Sequence, residues 1–281
     1  MKMKKFGIKT VSVFFSVAAM AVFLAGCTAS SGAEVSSSSA QEASVIRIGV
    51  TPSVAEEIAL QAKEIGAKDG LNLEVITFSD YTQINRALAE KQIDANAFQH
   101  TGYFENDIKT HQLNLVKLTD TYTIPMAVYS SKIKAVSELP DGATVALPGD
   151  PANTARGLAI FEKAGWIKVR EGAGLKATVK DVVDNPRHIQ FKEMDQAMIA
   201  PILDDVDAAA ILTPHALQHG LNPLKDGLIV EDGNSPWVNL IAVRPEDKDK
   251  PAFKKLVQAF HSDEMRKFIE DKYQGAVLAG W

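Results

Sequence analysis

From Val45 onward the chain alternates short β-rich runs with segments of helical period, and this order constrains the fold more than any other feature. Val45–Val50 reads as a strand. Thr51-Pro52-Ser53 then opens a helix to about Gly66, with Val54, Ile58, Ala62 and Ile65 at helical spacing. Leu73–Phe78 alternates like a strand, Asn85–Lys91 reads as a helix and Ile93–Phe98 as a third strand. A β-α-β-α-β order predicts a parallel sheet with helical crossovers.

The pattern restarts near Met126. Strands are expected at Met126–Ser130, Ala143–Pro148, Ile189–Lys192, Ala208–Leu212 and Val238–Val243. Asn153 or Thr154 is placed to cap a helix that ends at Ala164, where Gly165 stops it. Met194–Asp204 reads as helical despite Pro201, and a last amphipathic helix spans Pro251–Tyr273. The chain is therefore expected to be α/β with two lobes, one of residues 45–125 and 240–281 and the other of residues 126–239. Loops at the carboxyl ends of the strands would then form a ligand cleft between lobes. Composition and pattern alone do not separate a two-lobed binder from a two-domain enzyme.

The first residues read as a processing signal. Lys2, Lys4, Lys5 and Lys9 precede an apolar run, Val11–Leu24, that is shorter than the roughly 20 residues of a membrane span. The run ends in Leu24-Ala25-Gly26-Cys27, which is similar to a bacterial lipobox. Residues 1–26 are thus expected to be a lipoprotein signal peptide, and Cys27 to carry lipid. The alternative is an ordinary signal peptide with a coincidental Cys, which leaves the chain's single cysteine unexplained. Residues 27–44 are rich in Ser, Ala and Gly and read as a flexible tether.

Of 281 residues, about 237 remain for the body, enough for two lobes of ordinary size. Cleavage before Cys27 removes four lysines and no acids, taking the formal charge from −5 to −9. That sign disfavours nucleic acid as a partner and broad adhesion to anionic lipid.

Several motifs then occur in register. Asp94-Ala95-Asn96-Ala97-Phe98-Gln99-His100 with Tyr103, and Asp80-Tyr81 with Asn85, resemble the signature of the NlpA/MetQ family of methionine-binding lipoproteins. So do Gly149–Arg156, Asp184-Asn185-Pro186, Gly220–Pro223, Ser235–Asn239, Gly275-Ala276-Val277 and the final Gly280-Trp281. The resemblance runs from about Val45 to Trp281. It implies a periplasmic-binding-protein fold of the second type, methionine or a related amino acid in the cleft, and partnership with an ABC permease and its ATPase. It also implies a lipid-anchored location facing the periplasm or the cell exterior. No cofactor is implied.

Ligand chemistry proposes the site. A carboxylate calls for a bidentate guanidinium near backbone N–H groups at a helix start, which points to Arg156 in the first turn of a predicted helix. The competing reading is a surface arginine; the family pattern, which also has arginine here, favours ligand contact. A thioether packs well at ring edges, which points to Tyr81, Phe98, His100 and Tyr103 in strand-end loops, although Phe98 alone could be core. Asn239 and Asn85 are candidate acceptors for the ammonium. The sequence also departs from the family. Leu212 stands where an Asn that holds the ligand's amino-acid backbone is usual, Gly149 replaces an Asn, Ala155 a Gly, and Thr101-Gly102-Tyr103 replaces Lys/X-Pro-Tyr. A lost amide leaves its partner unpaired, at a cost of roughly 1–3 kcal/mol.

Rival classes are weaker. His215 and His219 share a helical spacing that suits a metal, without the other donors of a metal site. No nucleophile elbow, phosphate-cradling loop or catalytic cysteine marks an enzyme. A surface lipoprotein without transport is the third alternative, and an intact Arg156 with the aromatic loop argues against it.

Overall fold

The computed structural model describes residues 45–231 and 237–281. The signal, Cys27 and the tether lie outside the described residues, so the lipid anchor has no structural account here. In chain order the strands and helices are β1 (Ile46–Val50), α1 (Val54–Ala67), β2 (Leu73–Thr77), α2 (Ile84–Ala89), β3 (Ala95–His100), α3 (Thr101–His111) and β4 (Val116–Thr123). There follow β5 (Met126–Tyr129), β6 (Thr144–Pro148), α4 (Pro151–Lys163), β7 (Lys168–Val169), β8 (Val182–Asp184), β9 (Gln190–Met194) and β10 (Ala208–Leu212). The last are α5 (Thr213–Gln218), α6 (Pro223–Asp226), β11 (Ile229–Val230), β12 (Val238–Val243), α7 (Pro251–Phe260), α8 (Asp263–Tyr273) and β13 (Leu278–Ala279).

Two sheets organise the chain. The first runs β13-β4-β12-β3-β1-β2, and the second β11-β5-β10-β6-β9. The chain leaves the first sheet between Thr123 and Met126 and returns between Val230 and Val238. Each sheet is mixed rather than wholly parallel. β1 runs parallel to β2 and β3, but β12 is antiparallel to β3 and β4. In the second sheet β10 is parallel to β6 and antiparallel to β5. The departure has a simple cause: each sheet takes in a strand that arrives from the other, and that strand needs no helical crossover to set its direction.

Helix α1 buries Val54, Ile58, Ala62 and Ile65, the stripe read from spacing, against the first sheet. Phe253, Leu256 and Phe260 of α7 and Met265 and Ile269 of α8 join the same core. A separate core under α4, built on Leu147, Leu158, Phe161 and Trp166, belongs to the second sheet. Both sheets thus have apolar cores of their own, as two-lobed α/β proteins require.

Several local expectations are corrected. Pro251–Tyr273 is two helices, because Ser262 Oγ accepts the Met265 N–H at 3.1 Å and starts α8 afresh. Met194–Asp204 is the end of β9 followed by short 3₁₀ stretches, Gln196–Met198 and Ala200–Asp205; Pro201 lacks the N–H that a continuous helix needs there. The cap of α4 is Asp150 rather than Asn153 or Thr154, its carboxylate accepting the Asn153 N–H at 3.0 Å. The third strand begins at Ala95 rather than Ile93 and reaches His100, where α3 follows without a loop.

Candidate functional site

One wall of the site is built at the junction of β3 and α3. His100 ends the strand and caps the helix: its Nδ1 accepts the Tyr103 N–H at 3.1 Å. A ring nitrogen that accepts cannot carry the proton, so Nε2 does, and it donates to Asn153 Oδ1 at 3.0 Å. Asn153 in turn donates through Nδ2 to Asp150 Oδ2 at 2.9 Å. This relay joins the first sheet to the start of α4. Burial, and then the Arg156 charge, lower the His100 pKa to about 3, against the opposing effect of its bond to Asn153, so the ring is neutral. Both nitrogens are spent, and the ring offers the cleft its face and edges.

The rings around it meet edge to face. Tyr103 lies 5.8 Å from Tyr81, 6.1 Å from Phe98 and 6.5 Å from His100, with interplanar angles of 64°, 73° and 83°. Trp237 packs on the other side of His100, 5.0 Å away. Such contacts hold rings in fixed orientations. Trp237 also packs closely on Gly102: a Cβ there would sit 2.5 Å from Trp237 Cζ3, so a side chain at this position would require one of the two to shift. The expected strand-end loops are corrected here. Phe98 and His100 lie in β3, Tyr103 lies in α3, and Tyr81 opens a 3₁₀ turn capped by Asp80.

The opposite wall carries Arg156. Its side chain is buried, in the second turn of α4 rather than the first. Its guanidinium is already paired. Nε bonds both Glu231 carboxylate oxygens, at 2.9 and 3.0 Å, Nη2 bonds Glu231 as well, and Nη2 donates to the Ile124 carbonyl at 2.6 Å. Glu231 also accepts the Met126 N–H at 3.1 Å. The Arg156 guanidinium lies over the Trp237 ring, 5.6 Å from its centroid. These hydrogen bonds use Nε and Nη2 and leave Nη1 out. Nor is the start of α4 open to an anion, since Asp150 takes the Asn153 N–H. The expected picture of a bidentate guanidinium beside free helix N–H groups is thus corrected: an internal carboxylate holds one edge of the arginine.

Between the walls lies a cleft of about 900 Å³, its mouth included, lined by residues of both sheets and their helices. Tyr81, Phe98, His100, Tyr103, Arg156 and Asn239 all reach it. Asn239, the second residue of β12, lies directly across from His100 of β3. Asn85 does not reach it. It is buried behind Gln99 in a network of amides: Asn85 Nδ2 donates to Gln99 Oε1 and Asp107 Oδ2, both at 2.8 Å, and Asn85 Oδ1 accepts from Asn96 and Gln99 at 2.9 and 2.6 Å. Gln99 lines the cleft in its place.

The lining also contains Asn153, Gln196, Leu212, Pro214 and His215. Gln196 carries no motif that marks it in the sequence, and neither does Glu231. Asn153 is visible there as a helix cap, but not as a bridge to His100. Among the described residues no three His, Cys, Asp or Glu side chains gather as a metal site would need. His215 faces the cleft from α5 while His219 follows the helix.

Residues 46–281 match the NlpA lipoprotein family. The chain belongs to that family. It is 42% identical over 240 residues to the D-methionine-binding lipoprotein MetQ of Escherichia coli K12, covering 84% of this chain and 88% of that one. It is 37% identical to outer membrane lipoprotein 3 of Mannheimia haemolytica, over 98% of this chain and all of the other. A nutrient-binding protein of Burkholderia cenocepacia, solved bound to methionine, superposes with a TM-score of 0.82 at 40% identity, over 84% of this chain and 100% of that one. The family chain is thus α/β and two-lobed, with its cleft between lobes. Among the described residues no helix is long and apolar enough to cross a membrane.

Proposed function

We propose that this protein captures methionine, or a closely related amino acid, outside the cytoplasmic membrane and delivers it to an ABC permease driven by its ATPase. The observation that carries the reading is the meeting, in one cleft of an NlpA-family chain, of an aromatic wall with a buried arginine on the opposite side. Tyr81, Phe98, His100 and Tyr103 suit a thioether, which packs at ring edges. Arg156, held on one edge by Glu231, turns its remaining donor nitrogen to a ligand carboxylate, and Asn239 accepts from the ammonium. Lipid on Cys27 and the tether of residues 27–44 keep the body at the membrane, close to the permease. Lobe one comprises residues 45–125 and 240–281 and lobe two residues 126–239, so ligand binding draws together two walls joined by two chain crossings. A binding protein of this kind needs no cofactor and performs no catalysis.

Calorimetry of the detergent-purified chain with L- and D-methionine tests this. The expected result is a dissociation constant in the micromolar range or tighter for one of them, about −8 kcal/mol or more. Heat from other amino acids or dipeptides, and none from methionine, rejects the substrate. A second reading has one observation in its favour: Leu212 lines the cleft where relatives carry an amide, so a ligand with an apolar group at that point is accommodated. A dipeptide or modified amino acid that binds more tightly than methionine would establish it.

A further inference from the structure

Gln196 sits in the first of two short 3₁₀ stretches after β9, in the wall opposite the aromatic rings. Asp195 holds that turn, its carboxylate accepting the Ala197 N–H at 2.8 Å and its carbonyl the Met198 N–H at 2.9 Å. The side chain is half-buried, and its Oε1 is fully buried with no hydrogen-bond donor among the described residues. An unpaired buried acceptor is costly, roughly 1–3 kcal/mol, and such groups collect where a ligand completes them. Two other amides in the lining, Gln99 and Asn153, differ. Gln99 is spent in the Asn85–Asn96 network, and Asn153 on His100 and Asp150.

Leu212, in the same lining, has no group to hold an ammonium. We propose that Gln196 supplies the amide that Leu212 lacks, its Oε1 accepting a hydrogen bond from the ligand's α-ammonium, so that a free amino group strengthens binding. The inference rests on the reading of the cleft as an amino-acid site. The local charge favours a cation over an anion: Asp195 is the adjacent residue, and Asp80, Asp150 and Asp195 all act on the nearby Tyr81 phenol, whose pKa is raised first by burial and then by these acids. An amide oxygen in that field is completed by a positively charged donor. The position also separates selectivity from fold, because residue 196 lies on a short turn that carries no strand pairing.

The test compares L-methionine with 4-(methylthio)butanoate, its analogue without the amino group, on the full chain in detergent. Gln196→Ala should weaken methionine roughly ten- to a hundredfold, the usual loss for a hydrogen bond to a charged group. It should leave the deaminated acid within about twofold, which also shows that the cleft remains folded. Gln196→Glu should keep or tighten methionine binding and weaken the deaminated acid. Equal weakening of both ligands by Gln196→Ala, no change in either, or loss of methionine binding in Gln196→Glu would overturn the assignment and leave the amino-acid site standing. Failure of the unsubstituted protein to bind methionine at all would overturn both.

Discussion

The two walls of the cleft are built differently. The first stands on β3, α3 and β12, and the polar groups of Gln99 and His100 there are hydrogen-bonded within the fold. The second draws on α4, a 3₁₀ turn, the end of β10 and the short helix α5, and presents an arginine shared with Glu231, an unpaired glutamine oxygen and Leu212. Strands and a satisfied network give the first wall a fixed shape before any ligand arrives, which lowers the ordering cost of binding. Short turns let the second wall change its side chains at little cost to the fold. The departures at Leu212 and Gly149 lie at the ends of second-sheet strands, whereas the one at Gly102 lies in α3, packed against Trp237.

The largest expected effect tests the second wall. Arg156→Met strands the Glu231 carboxylate, which is only 12% exposed. Breaking a buried pair from one side typically costs about 3–5 kcal/mol of stability, and losing a desolvated ligand clamp about 2–5 kcal/mol of affinity. The two losses separate in the double variant Arg156→Met/Glu231→Leu. Denaturant unfolding should show most of the stability restored, and calorimetry should show no return of methionine binding. Wild-type affinity in the double variant would make Arg156 an ion-pair partner of Glu231 and nothing more.

A smaller effect tests the first wall. Asn85→Ala removes the hub of the amide network and leaves Gln99, Asn96 and Asp107 each short of a partner. A stability loss of about 2–4 kcal/mol is expected, since each abandoned buried group costs about 1–3 kcal/mol. Methionine affinity should fall by less than tenfold (~1.4 kcal/mol), because Asn85 lies behind the lining. A larger change in affinity than in stability would return Asn85 to the ligand site.

The same division explains what could be read in the sequence. The strands at Val45–Val50, Met126–Ser130 and Ala208–Leu212, and the α1 stripe, were legible because periodicity and burial coincide there. The motif around Phe98–Tyr103 located the first wall, although its extension as strand then helix was hidden: Gly102 and polar side chains mask the period of α3, which buries only Phe104. Asn85 misled because a polar residue beside a site motif looks the same whether it faces the ligand or supports a residue that does. Glu231 and Gln196 were not legible at all. Glu231 acts through Arg156, 75 positions away, and Gln196 through a turn, and one sequence carries no sign of either. Strand direction was missed for a related reason, since local pattern does not say that β12 returns antiparallel beside β3.

The smallest expected effect concerns how rigid the first wall is, and pH reads it. In the unfolded chain a histidine takes up its proton around pH 6.5; in the fold His100 does so only near 3, chiefly because burial opposes the charge. Between those values the unfolded state binds more protons than the folded one, so stability falls as the pH falls through that window. Above it the contribution is fully present. The slope from this one group is at most about 1.4 kcal/mol per pH unit. Asp150 works in the opposite sense at the acid end, because burial raises its pKa above the usual carboxylate value. His100→Gln keeps an acceptor for the Tyr103 N–H and a donor for Asn153, yet cannot titrate. Unfolding measured between pH 4 and 7 should show a shallower decline than in the unsubstituted protein, while methionine affinity of the unsubstituted protein stays level between pH 5.5 and 7.5. An unchanged slope would mean that His100 is protonated in the fold near its ordinary pKa. Nε2 and Nδ1 would then both be donors, the contact with the Tyr103 N–H would be broken, and the first wall would rearrange with pH instead of standing ready for its ligand.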